Sequence, residues 1–513
     1  MSAAPDTTDY IRAYEAAVLG LAQTPGDRRL QHTAVLALAR AGSVDFALQE
    51  YERYGLHTVD DDEDIIALRG RLHKDRYERS DDKSLARSHA RRSAESYDQA
   101  FRQTGGFYSA INAATMYALS GASREEISKR AKAVLKLTAQ QVGTSPQDRY
   151  YLTATRAEAL LLQGRSLEAD VYLMRALEHD PLNYTAHAST LRQFEMILAH
   201  QGGELALLDR FRPPRSVFFV GHIFAQGDED ADCQDRLNRD EVADLKEKMR
   251  DLIQAHDIGF GYSALAAGSD LLFAETLLEE GGELNVILPG AIEPFIETSV
   301  IFGGASWEEC FRRCLERAHS VVEVDIGPAR LSTAAVRHAA KVGIGLSGLR
   351  GQTHRRRPAL ISVLDNHQPS FTKDIVETTP FDARDKLALP YPAKRKIRSH
   401  TLSEENARPV TMLATKEDVT AFALVEKAVT KALGQQSAAA IVSSLGEDTA
   451  SLKDRTSKLL KTLPQGTVAL DEIAAALLLC DHAEQFDVMF IGQTHSEMQP
   501  ARSRLFKVAK RGS

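Results

Sequence analysis

The spacing of apolar positions changes character twice along the chain. From residue 9 to about 205 apolar residues recur at helical intervals, nothing alternates as a strand would, and Pro and Gly fall in the gaps. From Ser216 onward short β-rich runs take turns with helical ones. The runs Ser216–His222, Ile258–Tyr262, Leu284–Leu288, Ser320–Val324 and Pro358–Leu364 predict strands. Between them Glu241–Ala255 predicts a helix, with Val242, Leu245, Met249, Leu252 and Ile253 on one face. Leu271–Glu280, Trp307–Ala318 and Thr333–Leu349 predict three more. Strand and helix in alternation predict a doubly wound parallel sheet. Beyond residue 408 the period changes again. Val410–Leu413 and Ala438–Ser443 read as strands, Val419–Leu433 and Asp471–Leu479 as helices, and Phe486–Gly492 and Leu505–Val508 as closing apolar runs.

These changes of period set the expected organisation: an N-terminal α-helical solenoid (residues 1–211), a central Rossmann-like parallel α/β domain (212–366), a linker (367–408) and a small C-terminal α/β domain (409–513). Arg212-Pro213-Pro214-Arg215 marks the first boundary, because two prolines cannot continue a helix. The linker is rich in Pro, Lys, Arg and Ser, with Lys394-Arg395-Lys396-Ile397-Arg398 as a basic knot, and Gln226–Asp235 reads as an acidic surface loop.

Within the helical third a pattern recurs. Ala37-Leu38-Ala39-Arg40-Ala41-Gly42, Met116-Tyr117-Ala118-Leu119-Ser120-Gly121 and Ala159-Leu160-Leu161-Leu162-Gln163-Gly164 each end on a glycine and are followed by a new helix. The third continues with Ala169, Tyr172, Ala176-Leu177 and Asp180-Pro181, and is similar to the tetratricopeptide pattern. Such units stack into a solenoid that usually binds protein segments. Tyr97-Asp98-Gln99-Ala100-Phe101, then Gly105-Gly106-Phe107-Tyr108 through Thr115, resembles the TRAFs-binding region of apoptosis signal-regulating kinases and of bacterial signalling proteins, over about residues 60–200. A protein partner on residues 1–205 is expected. Asn112, between apolar neighbours, is either a ligand-binding amide or a cross-link between helices. The charge run Arg87–Arg92 reads as a solvated helix face.

The candidate ligand site lies in the central domain. Ligands of open parallel sheets sit at the carboxyl ends of strands, where small residues let a helix N-terminus approach an anion. Gly221 ends the first strand, and Ala266-Ala267-Gly268-Ser269-Asp270 joins the second strand to a helix. Gly268 would admit a phosphate to the amides of Ser269 and Asp270. Asp270 either meets a ribose hydroxyl or caps the helix. Thr298-Ser299 and Trp307 are candidates to complete a pocket, with Trp307 equally a core anchor. A Gly268→Val change is expected to abolish binding with the fold intact. The pattern Ser263, Ala266, Gly268, Asp270, then Ala274-Glu275, Leu278, Gly281-Gly282 and Val286–Pro289 resembles the SLOG superfamily, which groups DNA-processing proteins with LOG phosphoribohydrolases. That resemblance covers about residues 215–366. It implies a nucleotide-derived ligand on Gly221, His222, Ala267, Gly268, Ser269 and Asp270, with Glu275 as the only candidate acid. The turn is alanine-rich where LOG enzymes have glycines, and no matching Arg is found, so hydrolase activity is not expected.

Charge narrows the partners. The chain has 513 residues and a formal net charge of -8, and residues 214–366 carry 16 Lys/Arg against 24 Asp/Glu. Such a surface repels a polyanion, so nucleic acid is not the expected partner, while one small nucleotide on backbone amides remains compatible. The His354-Arg355-Arg356-Arg357 cluster is the local exception, as a phosphate acceptor or a solvated loop. No apolar run approaches the ~20 residues of a membrane span. Cys233, Cys310, Cys314 and Cys480 are too few and too scattered for a disulfide framework, so a cytoplasmic setting is expected. Cys310 and Cys314 read as core thiols, and neither a metal site nor a cofactor is expected beyond the nucleotide-type ligand.

The tail is similar to a shortened class III nucleotidyl cyclase through Gly466-Thr467-Val468 and Phe486–Gly492. Such cyclases need two carboxylates for two metal ions and an Asn and an Arg on one helix. Thr415 stands where the first carboxylate belongs, and Asp454 and Lys458 where the Asn/Arg pair belongs, so a pseudoenzyme that helps dimerisation is expected. The whole reads as a non-enzymatic signalling protein that senses a nucleotide-derived ligand and binds partners through its solenoid, with a setting in bacterial stress or antiviral signalling implied by the resemblances. The alternatives are a nucleotide N-glycosidic hydrolase and a ligand-free scaffold.

Overall fold

The computed structural model describes residues 10–226, 236–324, 332–364, 371–379, 381–391, 409–435, 437–494 and 503–511. Contacts group the chain into two compact units. The first is Met1–Pro213 with Leu463–Thr467 and Phe490–Ser513, and the second is Pro214–Thr462 with Val468–Met489.

The first unit is built on ten helices among its described residues: α1 (Tyr10–Gln23), α2 (Arg28–Arg40), α3 (Val44–Arg53), α4 (Glu63–Arg79), α5 (Lys83–Thr104), α6 (Phe107–Leu119), α7 (Arg124–Ala139), α8 (Pro146–Leu162), α9 (Ser166–His179) and α10 (Tyr184–Gln201). Their starts are written in the sequence. Asp27, Asp62, Asp82 and Ser123 each accept a backbone N–H of the first turn, and Ser145 forms a capping box with Asp148 around Pro146. Their ends use the recurring glycine. Gly164 has φ 75°, which a side chain would disfavour, and it lets the Arg165 amide reach back to the Leu160 carbonyl (3.0 Å). Successive helices from α1 to α9 pack on one another. The even-numbered helices also pack on one another, α2 on α4, α4 on α6, α6 on α8 and α8 on α10, so they form one row.

The second unit holds the strands β1 (Arg215–Gly221), β2 (Ala225–Gln226), β3 (Arg236–Leu237), β4 (Ile258–Ser263), β5 (Glu283–Leu288), β6 (Ser320–Glu323), β7 (Ala359–Leu364) and β8 (Lys386–Pro390). Interleaved are α11 (Arg239–Ala255), α12 (Ser269–Glu279), α13 (Ile292–Ser299), α14 (Ala305–Arg317), α15 (Thr333–His354) and α16 (Phe371–Thr378). The main sheet runs β6-β5-β4-β1-β7-β8 with every pair parallel. Its central strands β1, β4, β5 and β7 are largely buried on both faces, which is why they read as continuous apolar runs rather than alternating ones. The order reverses between β1 and β7, placing a switch point at their carboxyl ends, where Gly221 is level with Val363.

Then follow β9 (Val410–Ala414), β10 (Val419–Phe422), α17 (Val425–Leu433), β11 (Ala439–Ser444), α18 (Thr449–Thr462), β12 (Val468–Asp471), α19 (Glu472–His482), β13 (Phe486–Thr494) and β14 (Ser503–Lys510). β9 lies between antiparallel neighbours β10 and β11, and β12 joins β11 in parallel. α19 packs on α15 so closely that a Cβ at Gly345 would fall 1.8 Å from the Ala476 carbonyl oxygen. From Phe490 the chain rejoins the first unit.

Two expectations are corrected. Val419–Leu433 is not one helix: its first four residues pair with β9, because Asp418 and Thr415 close a turn that returns the chain along that strand. The expected linker also contributes α16 and β8, the latter extending the main sheet beside β7. The loop 227–235 and the knot Lys394–Arg398 lie outside the described residues, as does Cys233.

Candidate functional site

The structure brings Gly221, His222, Ala267, Gly268, Ser269 and Asp270 together at the carboxyl ends of β1 and β4. After β4 the chain turns through Leu265, which is buried with φ 67°, and Gly268, with φ 92° and ψ -119°, before α12 begins. Both conformations are sparsely populated, and the second is open in practice only to glycine.

Of the two amides expected to face an anion, that of Ser269 is turned onto the protein's own oxygen, and so are three amides around it. The Gly221 N–H donates to Asp270 Oδ1 (3.1 Å) and the Ala266 N–H to Asp270 Oδ2 (3.3 Å). The Ser269 N–H donates to the His222 carbonyl (3.1 Å), and the Ala267 N–H to the Ser299 carbonyl (2.9 Å). The two glycines are small for the sake of neighbouring protein atoms. A Cβ at Gly221 would lie 2.3 Å from Ser269 Cβ, and one at Gly268 would lie 2.6 Å from the Phe224 nitrogen and 2.8 Å from its ring. Gly268→Val would therefore damage the turn itself, which corrects the expectation that the fold survives it. Trp307 stands edge-on to Phe224 (5.7 Å between ring centres), as a core anchor would.

Burial drives the Asp270 carboxyl up to about 7 despite the two amide bonds that favour its charged form. Beside it the Ser269 hydroxyl is buried without a hydrogen-bond partner. His222 is buried, its amide on the Val363 carbonyl (3.3 Å) and its ring edge-on to Tyr391 (5.2 Å). Glu275 is not part of this group. Its carboxylate holds Lys246 (3.1 Å) and Arg313 (3.3 Å) on the outer side of α12, the surface ion-pair alternative. The basic cluster at the end of α15 is likewise engaged, Arg356 with Asp257 and Arg357 with Asp382.

The first unit carries buried polar groups of which the sequence singled out Asn112 alone, and its cross-linking alternative is the one observed. Along the even-numbered row, Asn112 Oδ1 accepts from Lys74 (3.1 Å) and Gln193 (3.2 Å), while its own NH₂ donates to the Tyr108 carbonyl, so this amide cross-links α4, α6 and α10. Thr115 donates to Glu158 (2.6 Å), Arg192 pairs with Glu78, and Arg71 lies 3.9 Å from Asp75. Lys507 of β14 donates to the Arg40 carbonyl (2.8 Å).

In the tail, Thr415 serves the turn before β10, accepting the amides of Glu417 and Asp418, and Lys458 pairs with Asp454 on α18. The buried Asp471, raised to about 6 chiefly by burial, caps α19 through the Ala474 amide and accepts the Ser443 amide. Arg455 bridges it to Glu447.

Comparison with known proteins bears on the first unit. A family model described as Tetratricopeptide Repeats-Sensor matches residues 9–117. Among solved structures, a thermophilic TPR protein of Thermus thermophilus is 18% identical, with 36% of this chain and 90% of that one covered and a TM-score of 0.30. An O-GlcNAc transferase of Thermobaculum terrenum is 13% identical, with 72% of this chain and 57% of that one covered and a TM-score of 0.22. No curated protein matches the chain. No helix among the described residues is long and apolar enough to cross a membrane. The N-terminal helical region is TPR-like, and TPR-like repeats point to a protein-interaction or scaffold role.

Proposed function

We propose that the chain is a partner-binding signalling protein whose TPR-like unit captures a protein segment. The observation that carries this reading is an apolar stripe on α9. Leu167, Val171 and Met174 recur at i, i+4 and i+7 and are 84%, 50% and 43% exposed, with Leu182 just beyond at 74%. Bare apolar residues lined up on one helix face are costly in water unless something covers them, and they suit the apolar side of an amphipathic segment. The test is affinity capture on the full chain against a Leu167→Asp, Val171→Asp, Met174→Asp variant. A partner recovered by the parent and lost by the variant, at an unchanged melting temperature, supports the reading. Equal capture by both removes it.

A second reading concerns the second unit: that it holds a nucleotide-derived ligand at the ends of β1 and β4, without catalysis. It draws support from the strained Leu265, the partnerless Ser269 hydroxyl and the buried Asp270, all close to the switch point of the sheet. In this reading Asp270 occupies the Gly221 and Ala266 amides until a phosphate replaces it. A nucleotide panel tests it. Thermal stabilisation without turnover supports a sensor, release of free base supports a hydrolase, and no response leaves a scaffold.

A further inference from the structure

We propose that the inner row of the helical unit is a binding site for a compact polyanion, a small molecule bearing clustered phosphate or carboxylate groups, and that Lys507 from the chain's last strand completes it. The site is separate from the strand-end turn of the second unit. Its cations come from distant parts of the sequence. Arg40 ends α2, Arg71, Lys74 and Arg79 lie on α4, Arg192 on α10 and Lys507 on β14. They sense one another: Arg40 is close enough to Arg71, Lys74 to Arg71 and Arg192, and Lys507 to Arg40, Arg79 and Arg192, for repulsion to matter. The carboxylates that face them are Asp75, Glu78 and Glu158.

The balance of charge is what points to a ligand. A self-contained ion network supplies about as many carboxylates as cations and gives each buried nitrogen an acceptor. Among the described residues, the cations named here outnumber the carboxylates that act on them most strongly, Asp75, Glu78 and Glu158. Of those three, Glu158 is deeply buried on Thr115, where burial favours its neutral form. Glu78 is committed to Arg192. Arg40 Nε is buried with no hydrogen-bond partner, and so is Gln193 Oε1, while Arg71 Nε makes no hydrogen bond and has only Asp75 at 3.9 Å. The Lys507 ammonium rests on the Arg40 carbonyl among guanidinium groups, with Asp75 near enough to favour its charge, and a bound anion would stabilise this arrangement further. Burial and these neighbours hold Lys507 down to about 7 and Lys74 to about 8. The Tyr108 and Tyr151 phenols lie near enough to Arg40 to interact with it electrostatically. Backbone-spaced recognition of an extended peptide would spread cations along the row. The convergence of α2, α4, α10 and β14 instead favours something small.

The experiment titrates the full chain in low-salt chloride buffer with sodium pyrophosphate and, separately, with a phosphate-free acidic peptide. Calorimetry and thermal melting are the readouts, and Lys507→Gln and Arg71→Gln are compared with the parent. The expected result is stabilisation by pyrophosphate and an affinity lowered about tenfold or more in each variant. In buffer without polyanion Lys507→Gln should melt at or above the parent, because like-charge crowding is relieved. A structural ion network predicts the reverse, a lower melting temperature with or without pyrophosphate, and that result overturns the proposal. So does equal pyrophosphate affinity in parent and Lys507→Gln, binding of the peptide alone, or no binding at all. If Arg71→Gln fails to fold, Lys507→Gln decides by itself.

Discussion

Asp270 is a buried carboxyl held by two backbone amides, with a pKa of about 7 against an ordinary value near 4. Between about pH 4 and 7 the folded chain therefore keeps a proton that the unfolded chain has released. The sign follows: stability is greatest below the lower value and is lost as pH rises through the upper one, at no more than about 1.4 kcal/mol per pH unit. Asp270→Asn should flatten that part of the profile, read by denaturant melts from pH 4 to 8. An unchanged slope would place the titration elsewhere. At Gly268 the expected outcome is structural. Its φ of 92° and the Phe224 amide 2.6 Å from any Cβ leave a valine no room, so Gly268→Val should cost about 3 kcal/mol or more in the same melts. The grouping of Gly221 with Ser269 and Asp270 was legible, because strand ends and helix starts of neighbouring parallel strands must meet. That Phe224 and Asp270 close the turn was not, since neither contact follows from spacing or periodicity.

Elements were legible where one period held for long enough. The strands at the centre of the main sheet are buried on both faces and stood out as apolar runs. β8 did not, because Lys386-Leu387-Ala388-Leu389-Pro390 sits at an edge, only partly buried, amid Pro- and Lys-rich sequence. β10 was hidden because Val419–Phe422 and the helix after it share apolar positions that fit one helical stripe. The pattern Gly343-x-Gly345-x-x-Gly348 on α15 has its explanation at this scale too. Gly343 lies under the Phe218 ring, and Gly345 lets α15 meet the backbone of α19. A backbone carbonyl cannot move aside as a side chain can. Gly345→Ala should thus destabilise the second unit by about 3 kcal/mol, while alanine's better helix propensity returns at most about 1 kcal/mol. Gly348→Ala, whose Cβ would meet Leu479 Cβ at a relaxed 3.8 Å, is the matched control and should be neutral or stabilising.

At the scale of the molecule the first unit is closed by the far end of the chain. Lys507 reaches the Arg40 carbonyl across 467 residues of sequence, its stem lies over Gly42, and Ser43 shares a buried hydroxyl–hydroxyl bond (2.7 Å) with Thr467 across 424. No sequence pattern encodes such contacts, which is why the polar inner row, apart from Asn112, was not legible from neighbouring residues. Contacts at that separation bear the largest loop-closure cost, although the cost grows only with the logarithm of length. They brace one place, the turn between α2 and α3, whose amides are held only by carbonyls one turn back, as in Ser43 N–H to Leu38 O (2.9 Å). Removing residues 503–513 should loosen that turn and leave the rest of the row alone. Hydrogen exchange distinguishes the cases: the amides of Ala41, Gly42 and Ser43 should exchange about tenfold faster in the truncated chain. Those of Gly164 and Arg165, in the equivalent turn between α8 and α9, should keep their rates. Equal acceleration at both turns would mean that the strand supports the whole solenoid. No change at either would mean that the α2–α3 turn holds itself without the last strand.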